Sequence, residues 1–239
     1  MKNSFDSVIC IGCPTIFERI RTRLPSYLLD YDTRFCSFYP RKQLHIYNMF
    51  NGHFFSESSL PTSENCLMIV DPPFGGFHRA LAYSIDKLPK ANLILFNPYF
   101  LEKWVVDAFP NVKMLDYKIE YTPQSSSHLC RGQKGSPVRM FTNICPSKFP
   151  PLDDVNYKYC LECNRYTLIN NQHCYQCQTC PSKDGLPSRH CSICRRCVKI
   201  KQKHCDECHV CHLPEQECLS KRRQSSSSAK ESTKKRRKI

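Results

Sequence analysis

One eight-residue pattern, His-Cys-x2-Cys-x2-Cys, occurs three times in the carboxyl-terminal third of the chain: "HCYQCQTC" (173–180), "HCSICRRC" (190–197) and "HCDECHVC" (204–211). Cys160-x2-Cys163 precedes the copies, and His212 and Cys218 follow them. Twelve of the 18 cysteines lie between Cys160 and Cys218. The opening "MKNSFDSVIC" carries no apolar secretory segment, so thiols with this spacing suit metal better than disulfides. Two thiolates separated by two residues meet one Zn²⁺ from a tight turn, and a second pair completes a tetrahedron. The candidate ligands are Cys160, Cys163, His173, Cys174, Cys177, Cys180, His190, Cys191, Cys194, Cys197, His204, Cys205, Cys208, Cys211, His212 and Cys218. They suffice for three or four ions, and the spacing leaves their pairing open. Few large apolar residues accompany them, so metal stands in for a core and its expected role is structural.

The first 150 residues follow a different logic. "SVICIGCP" (7–14), "SYLLDYD" (26–32), "YNMFNGHFF" (47–55, with a turn at Asn51-Gly52), "CLMIVD" (66–71) and "ANLILFN" (91–97) read as strands. "TIFERIRTRL" (15–24), "FHRALAYSIDKL" (77–88) and "YFLEKWVVDAF" (99–109) read as helices between them. "NVKMLDYKIEY" (111–121) and "SPVRMFTNI" (136–144) read as a closing pair of strands. This alternation predicts a three-layer α/β fold on a parallel sheet, whose ligands bind beyond the carboxyl ends of the strands. Gly12, Asp30, Asn51 and Asp71 are placed at such ends. Gly12, with Cys13 and Pro14, lets the backbone approach a ligand closely, and Asp30 or Asp32 is placed to accept hydrogen bonds from a ribose diol. No complete G-x-G-x-x-G is present.

Asp71-Pro72-Pro73-Phe74 is too rigid and too aromatic for an ordinary turn. An amine on an aromatic ring is a poor nucleophile because its lone pair is delocalised. A carboxylate and a carbonyl that accept its two N–H bonds draw it towards sp³ geometry and stabilise the charge that grows as a methyl group arrives. Pro72 offers a carbonyl without a donor, and Phe74 offers a stacking face for a base.

"DPPF" resembles the (D/N)PP(F/Y/W) signature of S-adenosylmethionine-dependent amino-methyltransferases. With "CIGCP", "LLDYDTRF", "YNMFNGHFF", "NPYF", "MLDYKIEY" and "SPVRMFTNI", it is similar to the zinc-finger CCHC-domain-containing rRNA N6-adenosine methyltransferases, over residues 7 to 218. The resemblance implies a Rossmann-like class I methyltransferase sheet over 1–148 and a cysteine/histidine-rich multi-zinc module over 157–219; the tail over 220–239 lies outside it, and its composition reads as disordered and basic. It also implies S-adenosyl-L-methionine as methyl donor, Asp71 to Phe74 as the catalytic tetrapeptide, and large-subunit rRNA as partner in the nucleus or nucleolus. The first strand starts about seven residues in, so a methyltransferase domain shortened at its amino end is expected.

Charge agrees with a polyanionic partner. The net charge is +14, and nine basic groups fall in the last twenty residues. Arg189, Arg195, Arg196, Lys199, Lys201 and Lys203 sit between metal ligands, placed to meet phosphates. "PSRHCSICRRCVKIKQKHC" also resembles the cysteine-rich domain of DHHC palmitoyltransferases. Gln202-Lys203-His204-Cys205 stands where Asp-His-His-Cys would, and no apolar run is long enough to span a bilayer, so acyl transfer is not expected. Two rivals remain: a protein lysine methyltransferase and a non-catalytic zinc-dependent RNA-binding protein.

Overall fold

The computed structural model describes residues 5–56, 60, 65–119, 136–149, 155–216 and 218. The chain divides into two compact units, Met1–Asp153 and Asp154–Ile239. The basic tail expected over 220–239 lies outside the described residues.

The first unit is built on strands β1 (Ser7–Ile11), β2 (Ser26–Asp30), β3 (Leu44–Asn48), β4 (His53–Phe54), β5 (Cys66–Val70), β6 (Asn92–Pro98), β7 (Lys113–Leu115) and β8 (Val138–Thr142). They form one sheet in the order β4-β3-β2-β1-β5-β6-β8-β7. β3, β2, β1, β5 and β6 run parallel, and β4, β7 and β8 add antiparallel pairs. β1 and β5 are buried at every residue, as near-continuous apolar strands in the middle of a covered parallel sheet must be.

Alternate residues of β1 enter opposite cores. Ile9 and Ile11 pack with Leu81 of helix α2 (His78–Ile85) and Val105 of helix α3 (Glu102–Ala108). Val8 and Cys10 pack with Phe17 of helix α1 (Pro14–Ile20). Helices therefore cover both faces, and the expected three-layer α/β sheet stands.

The third strand needs correction. It was expected within 47–55 with a turn at Asn51-Gly52; β3 instead starts at Leu44 and ends at Asn48, and the chain turns back through 49–52, the expected turn included, into β4. Asn48 Oδ1 accepts the Phe50 N–H at 3.0 Å and Asn51 Oδ1 accepts the His53 N–H at 2.9 Å. These Asx bonds compete with strand extension and break the run into a hairpin.

The second unit consists of small hairpins. β9 (Tyr157–Cys160) pairs with β10 (Arg165–Leu168), β11 (Ser188–Cys191) with β12 (Arg196–Lys199), and β13 (Lys203–Cys205) with β14 (Val210–His212). A further turn is closed by a Cys174–Thr179 bridge. Every one of these turns holds a Cys-x2-Cys, and the residue after the second cysteine has positive φ: Asn164 (48°), Gln178 (52°), Arg195 (51°) and His209 (55°). The left-handed conformation is unfavourable for most residues other than glycine, asparagine and aspartate. His209→Gly is therefore expected to stabilise the metal-loaded unit by about 0.5–1 kcal/mol, read as a higher thermal midpoint with unchanged zinc content.

Candidate active site and metal centres

The carboxyl ends of β1 and β5 meet where the strand order reverses, the usual ligand crevice of an open α/β sheet. Gly12 donates its N–H to Leu29 O at 3.0 Å, and Asp71 donates its N–H to Ile11 O at 3.0 Å, so the two strand exits are locked side by side. Gly12 has φ +66°, and a Cβ there would lie 2.7 Å from Met49 Cε and 2.9 Å from the Asp71 carbonyl oxygen. Backbone conformation and clearance thus both require glycine. Gly12→Ala is expected to destabilise the unit by about 1–3 kcal/mol and to displace the Asp71 backbone, which thermal denaturation combined with methyl-donor titration will read.

Asp71 is half-buried and Pro72 buried, with Pro73 exposed and Phe74 half-buried. The Pro73 carbonyl accepts the Gly76 N–H at 2.8 Å and closes the turn. No backbone N–H among the described residues takes the Pro72 carbonyl. Burial alone pushes the Asp71 carboxyl up to about 6. No cation among the described residues offsets that burial, so a hydrogen-bond donor brought to this carboxylate would be strongly held.

The other residues expected at this site divide. Asp30 ends β2, and its Oδ1 accepts the Asp32 N–H at 3.0 Å, while burial holds its carboxyl above the ordinary range. Asp32 turns away from the strand end. It caps a short 3₁₀ turn (Thr33–Ser37) and pairs with Arg34 at 2.6 Å, which keeps its carboxyl low. Cys13 points into the core with Sγ 3.4 Å from Ile69 O; the neighbouring Cys10 thiol, together with burial, pushes its own thiol far up. Pro14 opens α1. Asn51 lies in the β3–β4 turn, one turn beyond the strand end.

Two residues of that turn were not anticipated. Met49 covers Gly12, and a Cβ on Gly76 would meet the Phe50 ring at 2.3 Å, so the β3–β4 turn lies over both strand exits. A lone Met-Phe in a turn carries no chemical signature, and only the hairpin brings it here.

The candidate ligands of the second unit resolve into four groups, each of three cysteines and one histidine with ligand atoms within 4.8 Å of one another. These are Cys160, Cys163, His173 and Cys180; Cys174, Cys177, His190 and Cys197; Cys191, Cys194, His204 and Cys211; and Cys205, Cys208, His212 and Cys218. The pairing left open by sequence thus takes one form, and the expected three or four ions become four sites.

Thiolates at about 2.3 Å from a tetrahedral Zn²⁺ lie about 3.7 Å apart. The Sγ–Sγ separations are 3.7 Å for Cys163–Cys180, 3.6 Å for Cys177–Cys197, 3.7 Å for Cys194–Cys211 and 3.6 Å for Cys205–Cys218. The histidine Nδ1 atoms stand 3.3 Å from Cys163, 3.4 Å from Cys177 and 3.2 Å from Cys194. His212 reverses this use, because its Nδ1 lies 2.8 Å from Leu213 O and leaves Nε2 for metal, an outer bond that fixes the tautomer. The donor set and edge lengths fit closed, structural Zn²⁺ sites with no open position.

The pairing is interleaved. Each His-Cys-x2-Cys-x2-Cys block gives its histidine and last cysteine to the preceding site and its first two cysteines to the following one. His209 belongs to none of the four groups.

Arg189, Arg195, Arg196, Lys199, Lys201 and Lys203 are all exposed. Two are engaged within the unit: Arg189 Nη2 donates to Gln202 O at 2.7 Å, and Lys199 Nζ pairs with Asp184 at 2.5 Å. No helix among the described residues is long and apolar enough to cross a membrane.

Comparison with known proteins bears on both units. A 35% identical stretch of 214 residues, 76% of this chain, matches the protein named rRNA N(6)-adenosine-methyltransferase ZCCHC4 of Homo sapiens. The proteins of the same name from Mus musculus and Xenopus tropicalis match at 35% over 202 and 201 residues, 71% of the chain in each case. The chain spans about two fifths of the length of these relatives, 42%, 40% and 41% in turn. Residues 1–144, the whole of the sheet, match the family described as probable N6-adenine methyltransferase. The strand-exit crevice with its Asp-Pro-Pro-Phe turn is that family's domain, and the chain belongs to the probable N6-adenine methyltransferase family.

Proposed function

We propose that the chain transfers a methyl group from S-adenosylmethionine to N6 of an adenosine in rRNA, the reaction that the names of the proteins it resembles give, and that the substrate is large-subunit rRNA. The observation that carries this reading is the Asp71 carboxylate, raised by burial alone beside the open Pro72 carbonyl. The two acceptors hold the two N–H bonds of the adenine amine, and Phe74 stacks on the ring. Methyl transfer then needs alignment and charge stabilisation more than a strong base. Glycine at position 12 keeps the two strand exits close, since a Cβ there would meet Met49 Cε and the Asp71 carbonyl oxygen. The backbone around Gly12 and the Asp30 carboxylate would hold the donor, which supplies the electrophilic methyl group. The exposed basic residues of the zinc unit supply phosphate contacts, and the basic tail suits a nuclear or nucleolar address.

The test is transfer of labelled methyl from S-adenosylmethionine to total RNA and total protein by the zinc-loaded chain, with Asp71→Ala as control. The expected result is N6-methyladenosine in large rRNA, reduced about 10²–10³-fold in the control. Label in protein instead would mean that the clamp holds a lysine ε-amine. No label, together with no donor binding, would make the chain a zinc-dependent RNA-binding protein.

A further inference from the structure

The loop that carries the clamp continues past it to Phe77, which is 68% exposed and belongs to neither core. Phe77 is the N-cap of α2, and no side chain caps that helix. Serine, threonine, aspartate and asparagine suit this position because their oxygen accepts a free helix N–H; phenylalanine gives up that bond. One strand away, β6 ends at Pro98 and is followed by Phe100, 63% exposed and also outside both cores.

The two exits are tied together. His78 Nε2 lies 3.2 Å from Oδ1 of Asn97, and Asn97 is fully buried. Arg79 and Lys103, both exposed, follow Phe77 and Phe100 by two and three residues in the chain. Phe100 meets the edge of Tyr99, ring centroids 5.6 Å apart, and both Phe77 and Phe100 keep most of their surface exposed at strand exits tied through the buried Asn97 amide.

We propose that Phe77 and Phe100 form a stacking platform for the unpaired RNA bases that flank the target adenosine, with Arg79 and Lys103 meeting the adjoining phosphates. The proposal rests on the RNA-methyltransferase reading above. An adenine must leave its stack to reach a clamp at a strand exit, and its neighbours then lose a stacking partner. A ring offered to each neighbour restores that contact without reading sequence, and it favours unpaired strands over duplex. Continuity with the clamp selects RNA over a protein partner, since Phe77 is three residues from Phe74.

The experiment uses the full zinc-loaded chain and a short unpaired oligoribonucleotide with one adenosine flanked by 4-thiouridines. Photocross-linked peptides are mapped for the wild type, Phe77→Ser and Phe100→Ser, and affinity, methyl transfer and donor binding are measured in parallel. Cross-links are expected on the peptides holding Phe77 and Phe100. Each serine variant is expected to lower its own cross-link yield at least fivefold, at the weak end of base–aromatic stacking. Phe77→Ser is also expected to keep or raise the thermal midpoint, because serine caps α2, and to leave donor binding unchanged. A merely structural Phe77 would show the stability change without the cross-link loss. Cross-links confined to residues 155–239, or yields unchanged in both variants, would overturn the platform. RNA methylation without platform cross-links removes the platform alone, whereas label found only in protein removes the reading beneath it as well.

Discussion

Replacing Asp71 with asparagine is expected to make the first unit more stable at neutral pH and to remove the acid limb of its methyl-transfer profile. The folded carboxyl titrates at about 6, above the ordinary carboxylate range, because burial penalises its charged form. A group whose folded pKa is raised favours the folded state while protonated. That contribution is present below the unfolded value, near 4, and is lost as pH rises through about 6. At neutral pH the ionised carboxylate therefore costs about 2–3 kcal/mol, from about 1.4 kcal/mol for each pH unit. Asparagine keeps an acceptor oxygen without the charge. The variant should melt several degrees higher at pH 7 to 8, and the difference should vanish near pH 4. Wild-type methyl transfer should fall below about pH 6 as the carboxyl takes up its proton, and this limb should be absent from Asp71→Asn. Thermal denaturation and rate measurements across pH 4–8 separate the two effects. Coincident loss of stability and rate in the variant would show that Asp71 supports the fold rather than the reaction.

Removal of metal carries the second large effect. The zinc unit has no extended apolar core; its buried cluster is Cys191, Val198 and Cys211 with Cys194 against it. Structural Zn²⁺ sites supply about 10–16 kcal/mol each in small domains, far more than such a cluster provides. Strong chelation is therefore expected to unfold residues 155–218 while the sheet of the first unit persists. Far-UV circular dichroism and limited proteolysis would show a protected amino-terminal fragment. The interleaving sharpens the expectation for single substitutions. Cys177→Ser removes a ligand of the second site, and its block also delivers His173 and Cys180 to the first. Bound zinc should fall from four equivalents to fewer than three. Cys145→Ser, at an exposed thiol outside every group, should leave four. Loss of one equivalent only from Cys177→Ser would mean that the sites fold independently.

Legibility from sequence differed between the two units for physical reasons. Strands such as β1 and β5 announce themselves as unbroken apolar runs, and the Asp71 turn could be read chemically because its rigidity and aromaticity are unusual for a turn. Asp32 shows that an acid two residues past a strand can cap a turn, a use that its pairing with Arg34 adds to and that the sequence does not announce. The start of β3 was read late because His45 interrupts the apolar residues Leu44 and Ile46, whereas the turn expected at Asn51-Gly52 is present. Met49 and Phe50 were invisible because their roles depend on a hairpin placed over neighbouring strands. In the zinc unit the ligands were plain and their pairing was not: identical blocks permit several closures, and only the backbone shows each block shared between neighbours. The positive-φ residues were equally hidden, since only Asn164 is of a type that favours this conformation.

The shared blocks also determine how such an array can change in length. The opening Cys160-x2-Cys163 and the closing His212 and Cys218 are half-links, and three whole links between them give four sites. Insertion or loss of one whole link would add or remove one ion while every remaining ligand kept a partner of the same kind. A change of any other size would leave a thiolate or an imidazole without its tetrahedron. The array is therefore tolerant of duplication and intolerant of small gaps, in the manner of a chain with identical couplings at every joint.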